Sequence, residues 1–340
     1  MANKQQLGAY TIAQDITTEQ MTAVFFDSKA LREPNYRLCQ LNARGQRYYY
    51  LFNESGAELY PSVTTILKKV MPENNFLTDW KVNMGKEAAE SYTMDRARFG
   101  TFVHGQLQEL CITRKYNLEA VGSRLAEYIE REHLPISFMD HQNEAQYAIL
   151  SFAKWMRDYD VRPLAVEISL YHPELKFAGM LDLVCNMRKY PLGDKHGDER
   201  INAICDFKTT TKDFHDEHAI QLGLYRLMWD YTFPEVKIDA IANVAPKAWW
   251  NTAKKAISYN FEWQDENPVL KQIPYLLELY KLLPTEKKSI PLCGGIIDLD
   301  EDVTQNVDVL TLEELIEKSR EESTPDGDEL LEEELALCGE

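Results

Sequence analysis

A hydrophobic strand that ends in opposite charges constrains this chain more than any other stretch. Ala203-Ile-Cys-Asp-Phe-Lys208 is apolar until its last residues, as a buried strand would be. Side chains two apart on a strand share a face. Asp206 and Lys208 therefore point to one side, Cys205 and Phe207 to the other. Phe177 to Val184 reads as the preceding strand, with Asp182 near its end and on the face of Ala178, Met180 and Val184. Arg188 to Arg200 is polar, holds two glycines and a proline, and reads as the connecting loop. Adjacent strands lie about 4.8 Å apart, so a hairpin brings Asp182 within reach of Asp206 and Lys208. Charges at the end of a hydrophobic strand are costly unless they are paired or bind metal. Two carboxylates and an ammonium suit a hard cation such as Mg²⁺; a structural ion pair is the simpler alternative.

The surrounding pieces add weight. Five other acid-x-lysine triplets, at Asp27, Asp79, Glu174, Glu235 and Glu286, are most simply solvated surface charges. Pro163 to Tyr171 alternates as a strand, with Val166, Ile168 and Leu170 on one face and Glu167 among Ala165, Ser169 and Tyr171 on the other. Glu167 is the odd acid there, either a third carboxylate near a metal or a partner for Lys208. His215 to Tyr231 reads as a helix on which Gln221 and Tyr225 share a face. Gly100 is expected to precede a helix carrying His104, which borders the apolar positions Leu107, Leu110 and Cys111. His104 is a packed core residue or a ligand, and its spacing from Gly100 favours the ligand. Trp80 to Tyr92 is helical in pattern.

The order GxxxH, E, GxxD, DxK, QxxxY, carried by Gly100–His104, Glu167, Gly179–Asp182, Asp206–Lys208 and Gln221–Tyr225, resembles the PD-(D/E)xK nuclease superfamily in its RecB-like exonuclease branch. Tyr60-Pro-Ser-Val-Thr-Thr-Ile-Leu67 resembles a segment upstream of GxxxH in the mitochondrial genome-maintenance exonuclease and its phage and bacterial relatives. The likeness spans residues 46 to 260. It implies an α/β restriction-endonuclease-like core: a mixed central sheet flanked by helices, with helical additions and a metal site at strand ends. It implies that Asp182, Asp206 and His104 hold Mg²⁺ or Mn²⁺, helped by the carbonyl of Phe207, and that Lys208 is catalytic. Glu167 matches an upstream acid of variable role, and Gln221 and Tyr225 a flanking helix that positions lysine or substrate. The ion would polarise a phosphodiester oxygen and lower the pKa of bound water. Leu181 replaces the proline that names the superfamily.

DNA contacts are expected elsewhere. Arg47 to Phe52 and Glu58 to Tyr60 read as a hairpin, after which Ser62 caps a helix. Ser62, Thr64 and Thr65 then either cap that helix or also hold a phosphate. Lys247-Ala-Trp-Trp250 and Lys254-Lys255 interleave cations with aromatics, which suits stacked single-stranded DNA. Lys247, Trp249 and Lys254 are the candidates; tryptophans covering a core edge are the alternative.

A net charge of −18 looks wrong for a DNA-binding protein, but its distribution explains it. Residues 296–340 hold 17 acids against Lys318 and Arg320, a net of −15, while the remainder carries −3. A phosphate groove needs only local positive charge. The expected division is an N-terminal extension (1–45), a nuclease domain (46–295) and an acidic, flexible tail (296–340). The tail holds two helix-like pieces, Thr311-Leu-Glu-Glu314 and Asp328 to Leu337, and is a solubilising segment, a dock for a recombinase or single-strand-binding protein, or a phosphate mimic. No CxxC pair exists among the six cysteines, so reduced thiols and no iron–sulfur cluster are expected. No apolar run is long enough for a bilayer, and the N-terminus lacks signal- or transit-peptide character, so the expected location is cytoplasmic. The resemblance suggests a phage-encoded exonuclease acting on DNA ends in recombination, repair or replication. A structure-specific endonuclease and a non-catalytic DNA-binding scaffold are the alternatives.

Overall fold

Alternating apolar residues build a first set of antiparallel strands, and longer apolar runs build a buried sheet. The computed structural model describes residues 9–11, 24–25, 31, 36–43, 46–53, 56–72, 75–132, 138–209, 214–247 and 257–283. The elements in chain order begin with β1 (Ala9–Thr11), β2 (Val24–Phe25), β3 (Arg37–Ala43), β4 (Gln46–Asn53) and β5 (Gly56–Pro61). Four helices follow: α1 (Val63–Val70), α2 (Asn75–Met84), α3 (Lys86–Thr113) and α4 (Val121–Arg131). Then come α5 (Phe138–Asp158), β6 (Arg162–His172), β7 (Phe177–Arg188), β8 (Arg200–Phe207), α6 (Asp216–Thr232), β9 (Ala240–Pro246), β10 (Tyr259–Gln264) and α7 (Glu266–Leu282). All of them lie within the unit Met1–Leu282. Among the described residues no helix is long and apolar enough to cross a membrane.

The central sheet runs β10-β9-β8-β7-β6-β2, a mixed sheet flanked by helices as expected. Only β8 and β9 run parallel, and α6 makes the crossover that parallel neighbours require. Ile168, Leu170, Leu181, Val184 and Ile204 pack with α1, α6 and α7 on one face. Val166, Leu183, Cys185, Ala203, Cys205 and Phe207 pack with α3, α4 and α5 on the other. Cys185 and Cys205 are thus core residues. The small sheet β1-β3-β4-β5 sits against β7 through Tyr49, Leu51, Tyr60 and Ala178.

Three expectations are corrected. Gly100 does not precede the His104 helix but lies inside the 28-residue α3. A Cβ there would stand 3.2 Å from Thr209 Oγ1, so glycine admits the chain that follows Lys208. The helix expected over Trp80 to Tyr92 is two helices, broken at Gly85, whose φ of +85° suits glycine alone. The strict alternation expected in β6 and β7 fails at Glu167 and Asp182. Val166 and Ile168 share a parity yet pack in opposite cores, as do Leu181 and Leu183. Glu167 has a φ of +50°, and the pairing of β6 with β7 skips it, passing from Val166↔Leu183 to Ile168↔Leu181. One left-handed residue changes the phase of both strands.

Candidate metal centre

The phase change sets the site. Glu167 and Asp182 stand opposite each other where β6 and β7 exchange faces, so their carboxylates escape both apolar cores. Asp182 is a mid-strand residue rather than a terminal one, because β7 runs on to Arg188 to pair with β8. Continuing the Leu183↔Cys205 register by one step places Asp182 across from Asp206. Asp182 accepts the Phe207 N–H at 2.7 Å, which ties the middle of β7 to the end of β8. His104 reaches the same point from α3, its ring 6.0 Å from that of Phe207.

His104 Nδ1 lies 3.5 Å from Asp182 and 3.8 Å from Glu167. One ligand atom from each of His104, Glu167 and Asp182 can be chosen so that all three lie within 4.8 Å of one another. Glu167 stands beside His104 and Asp182 rather than with Lys208. Lys208 pairs instead with Asp206, at 2.8 Å, and donates to Gln221 Oε1 at 2.9 Å. Asp206 has two further partners besides Lys208: it accepts Gln221 Nε2 and Asn243 Nδ2, each at 3.1 Å. Gln221 Nε2 also donates to the Tyr225 hydroxyl at 2.8 Å. The helix pair Gln221 and Tyr225 therefore braces the lysine and the second aspartate.

Electrostatics divide these acids. Burial works against a charged His104, but the carboxylates of Asp182 and then Glu167 outweigh it and hold its pKa well above the usual histidine value. Burial likewise opposes the Asp182 carboxylate, yet His104, the Phe207 N–H and Lys208 hold it below the ordinary range. Glu167 is pushed up, first by burial and then by the charge of Asp182. Asp206 is also raised by burial and Asp182, against the pull of Lys208. Three crowded carboxylates with two cations cannot all ionise comfortably, and a divalent ion relieves that repulsion.

Gly179 of the GxxD motif is a close-approach residue. A Cβ on it would fall 2.9 Å from the Tyr225 ring, 3.1 Å from Met228 and 3.2 Å from Val63. Gly179→Ala is therefore expected to destabilise the fold by about 1–3 kcal/mol through overpacking. Urea denaturation measures this, and an unchanged midpoint would contradict the packing.

The DNA-binding candidates separate. Ser62 and Thr65 are buried, and Thr64 is half-buried with its hydroxyl 2.9 Å from Ser62 Oγ. Ser62 caps α1 by accepting the Thr65 N–H at 3.0 Å. Lys247 is exposed at the end of β9, where its N–H donates to Ser258 at 3.2 Å. Trp249 and Lys254 lie outside the described residues, as do both helix-like pieces of the acidic tail.

Two residues were missed by sequence reasoning. Asn243 is fully buried, pairs in register with Asp206, and its Oδ1 has no hydrogen-bond partner among the described residues. Its only trace is an amide within the otherwise apolar run of β9. His218 sits on the first turn of α6, its pKa pulled down to about 3 by burial and then by Lys208. It flanks the lysine as a neutral imidazole, and nothing in its spacing announces that.

The family model of the PD-(D/E)XK nuclease superfamily matches residues 78–335. The chain belongs to the PD-(D/E)XK nuclease superfamily. No curated protein is matched by the chain. Superfamily membership brings metal-dependent cleavage of nucleic acid. The donor set fits a divalent ion: one imidazole nitrogen and two carboxylates converge, with one ligand atom from each within 4.8 Å of the others.

Proposed function

We propose that this superfamily member is a deoxyribonuclease of the RecB-like exonuclease branch, related to the mitochondrial genome-maintenance exonuclease, hydrolysing DNA from its ends. The observation that carries the nuclease reading is the convergence of His104, Glu167 and Asp182 beside the braced Lys208–Asp206 pair. The order of motifs through Gln221 and Tyr225 supports the branch. Its setting is recombination, repair or replication, in a phage.

In this proposal His104, Glu167 and Asp182 would hold Mg²⁺ or Mn²⁺, with Asp206 and the Phe207 carbonyl as further oxygen donors. Bound there, the ion would supply Lewis-acid polarisation of a phosphodiester oxygen and a lowered pKa for water. The protein's own groups supply the rest. Lys208 is held between Asp206 and Gln221 and offers its remaining N–H toward the phosphoryl oxygens, where negative charge grows. Gln221 fixes both members of that pair, and Tyr225 fixes Gln221. Lys247, exposed, and Thr64, half-buried, remain the candidates for backbone contacts.

The test is digestion of linear and circular single-stranded DNA with Mg²⁺ and with Mn²⁺. Loss of linear DNA alone supports the exonuclease. Cutting of circles replaces it with an endonuclease. If linear, circular, duplex and flap substrates all survive both ions, the proposal is overturned and a DNA-binding scaffold takes its place.

A further inference from the structure

We propose that Asn243 is a positioning residue of the nuclease centre: it locks the Asp206 carboxylate, so that Lys208 is held toward substrate and one oxygen of Asp206 alone stays open. The inference rests on the nuclease function proposed above.

The surroundings of this position on β9 call for an apolar residue. Ile241, Ala242, Val244 and Ala245 are fully buried, and so is Asn243 among them. Ile241 packs in the core beneath α6, whereas Ala242 and Val244 pack in the opposite core. Alternation therefore turns Asn243 to the α6 face, which it shares with Asp206. The ladder between β8 and β9 is made by backbone groups, so the sheet has no use for a side-chain amide there. An amide oxygen buried without a partner lowers stability, and Oδ1 of Asn243 is such an oxygen among the described residues. A residue that breaks a local rule at a cost to the fold points to function.

The other end of the amide shows what it does. Nδ2 donates to Asp206 Oδ2 at 3.1 Å, across the in-register pair of β8 and β9. Lys208 Nζ lies 2.8 Å from the same oxygen, and Gln221 Nε2 donates to Oδ1 at 3.1 Å. A carboxylate oxygen has about two acceptor positions. Lys208 and Asn243 thus fill Oδ2, while Oδ1 keeps one position open. Donors from β9, from α6 and from the end of β8 fix the carboxylate on both oxygens. Without Nδ2 the carboxylate is free to turn about its Cβ–Cγ bond and to draw the lysine with it. Asn243 is fully enclosed, so it acts through Asp206 and not on substrate.

The experiment compares wild type with Asn243→Leu, which matches the side chain heavy atom for heavy atom and removes the donor. Thermal unfolding without metal is expected to give a midpoint near that of wild type, because loss of the bond to Asp206 is offset by removal of the orphaned Oδ1. Single-turnover digestion of an end-labelled single-stranded oligonucleotide in saturating Mn²⁺ is expected to slow by about 10–100-fold, with the DNA concentration for half-maximal rate unchanged. Mn²⁺ affinity, read by calorimetry without DNA, is expected to fall by less than about tenfold, since His104, Glu167 and Asp182 keep their places. Combined with Lys208→Ala, the substitution is expected to slow cleavage by less than the product of the two separate effects, because both act through one ion pair. If Asn243→Leu does not fold, Asn243→Ser carries the same rate and coupling tests. An unchanged rate overturns the inference and leaves the nuclease function standing. So does a slowed variant that unfolds well below wild type, or one whose effect simply multiplies with that of Lys208→Ala, since either would make Asn243 a structural residue. If wild type cuts no DNA with Mg²⁺ or Mn²⁺, the nuclease proposal falls and this one with it.

Discussion

Lys208→Ala is expected to slow DNA cleavage by about 10²–10³-fold at saturating substrate and Mn²⁺, with Mn²⁺ affinity little changed. The reasoning starts from placement. Lys208 follows the last residue of β8, and its ammonium is held by Asp206 at 2.8 Å and Gln221 at 2.9 Å, with a fifth of its side chain exposed. Two fixed partners restrict a side chain that is otherwise free to rotate, so its charge is in place before charge develops on the phosphate. Loss of that charge removes transition-state stabilisation rather than ground-state binding, and the deficit belongs in kcat. Lys208→Arg is not expected to restore the rate, because a planar fork does not reproduce a compact point charge. Single-turnover digestion of an end-labelled oligonucleotide reads the effect. A matching drop in Mn²⁺ affinity would show instead that lysine serves only to keep Asp206 in position.

Asp182→Asn is expected to cost more: about 10³-fold or greater in cleavage, equivalent to about 4 kcal/mol, with Mn²⁺ affinity down by at least about 100-fold. The substitution is nearly isosteric. The amide oxygen can still accept the Phe207 N–H, the bond that measures 2.7 Å in the native chain, so the β7–β8 junction is retained. What disappears is the one carboxylate of the cluster held in its ionised form by its neighbours. His104 loses its strongest electrostatic partner at the same time. Thermal unfolding with and without Mn²⁺ separates these effects, since an ion that binds only the native state raises the midpoint. Wild type should gain stability on adding Mn²⁺ and the variant should not. A variant that gains as much as wild type would place the ion elsewhere.

Much of this was legible because the chemistry sits on regular elements. Asp206 and Lys208 share a face for the simple reason that a strand repeats every two residues, and their side chains do meet. Gln221 and Tyr225 share a helix face and are hydrogen-bonded to each other. Ser62 was readable as a cap from its place before an apolar helix. What failed was periodicity at its one exception. No rule predicts a glutamate with left-handed backbone, so the faces of Val166 and Val184 were misassigned. Gly100 was read as punctuation because glycine usually is, whereas here it is a gap that another loop fills. Asn243 became meaningful only with the β8–β9 register, which depends on a crossover that local sequence does not encode.

The backbone of Glu167 holds a consequence for the history of such a chain. A side chain in that region of conformational space costs about 1–2 kcal/mol relative to glycine. Any process that rewards thermal robustness alone would favour glycine there, relaxing the kink and firming the sheet. It would also erase an acid from the centre. The residue marks a spot where durability and chemistry pull apart, and the glutamate records which of them selection kept.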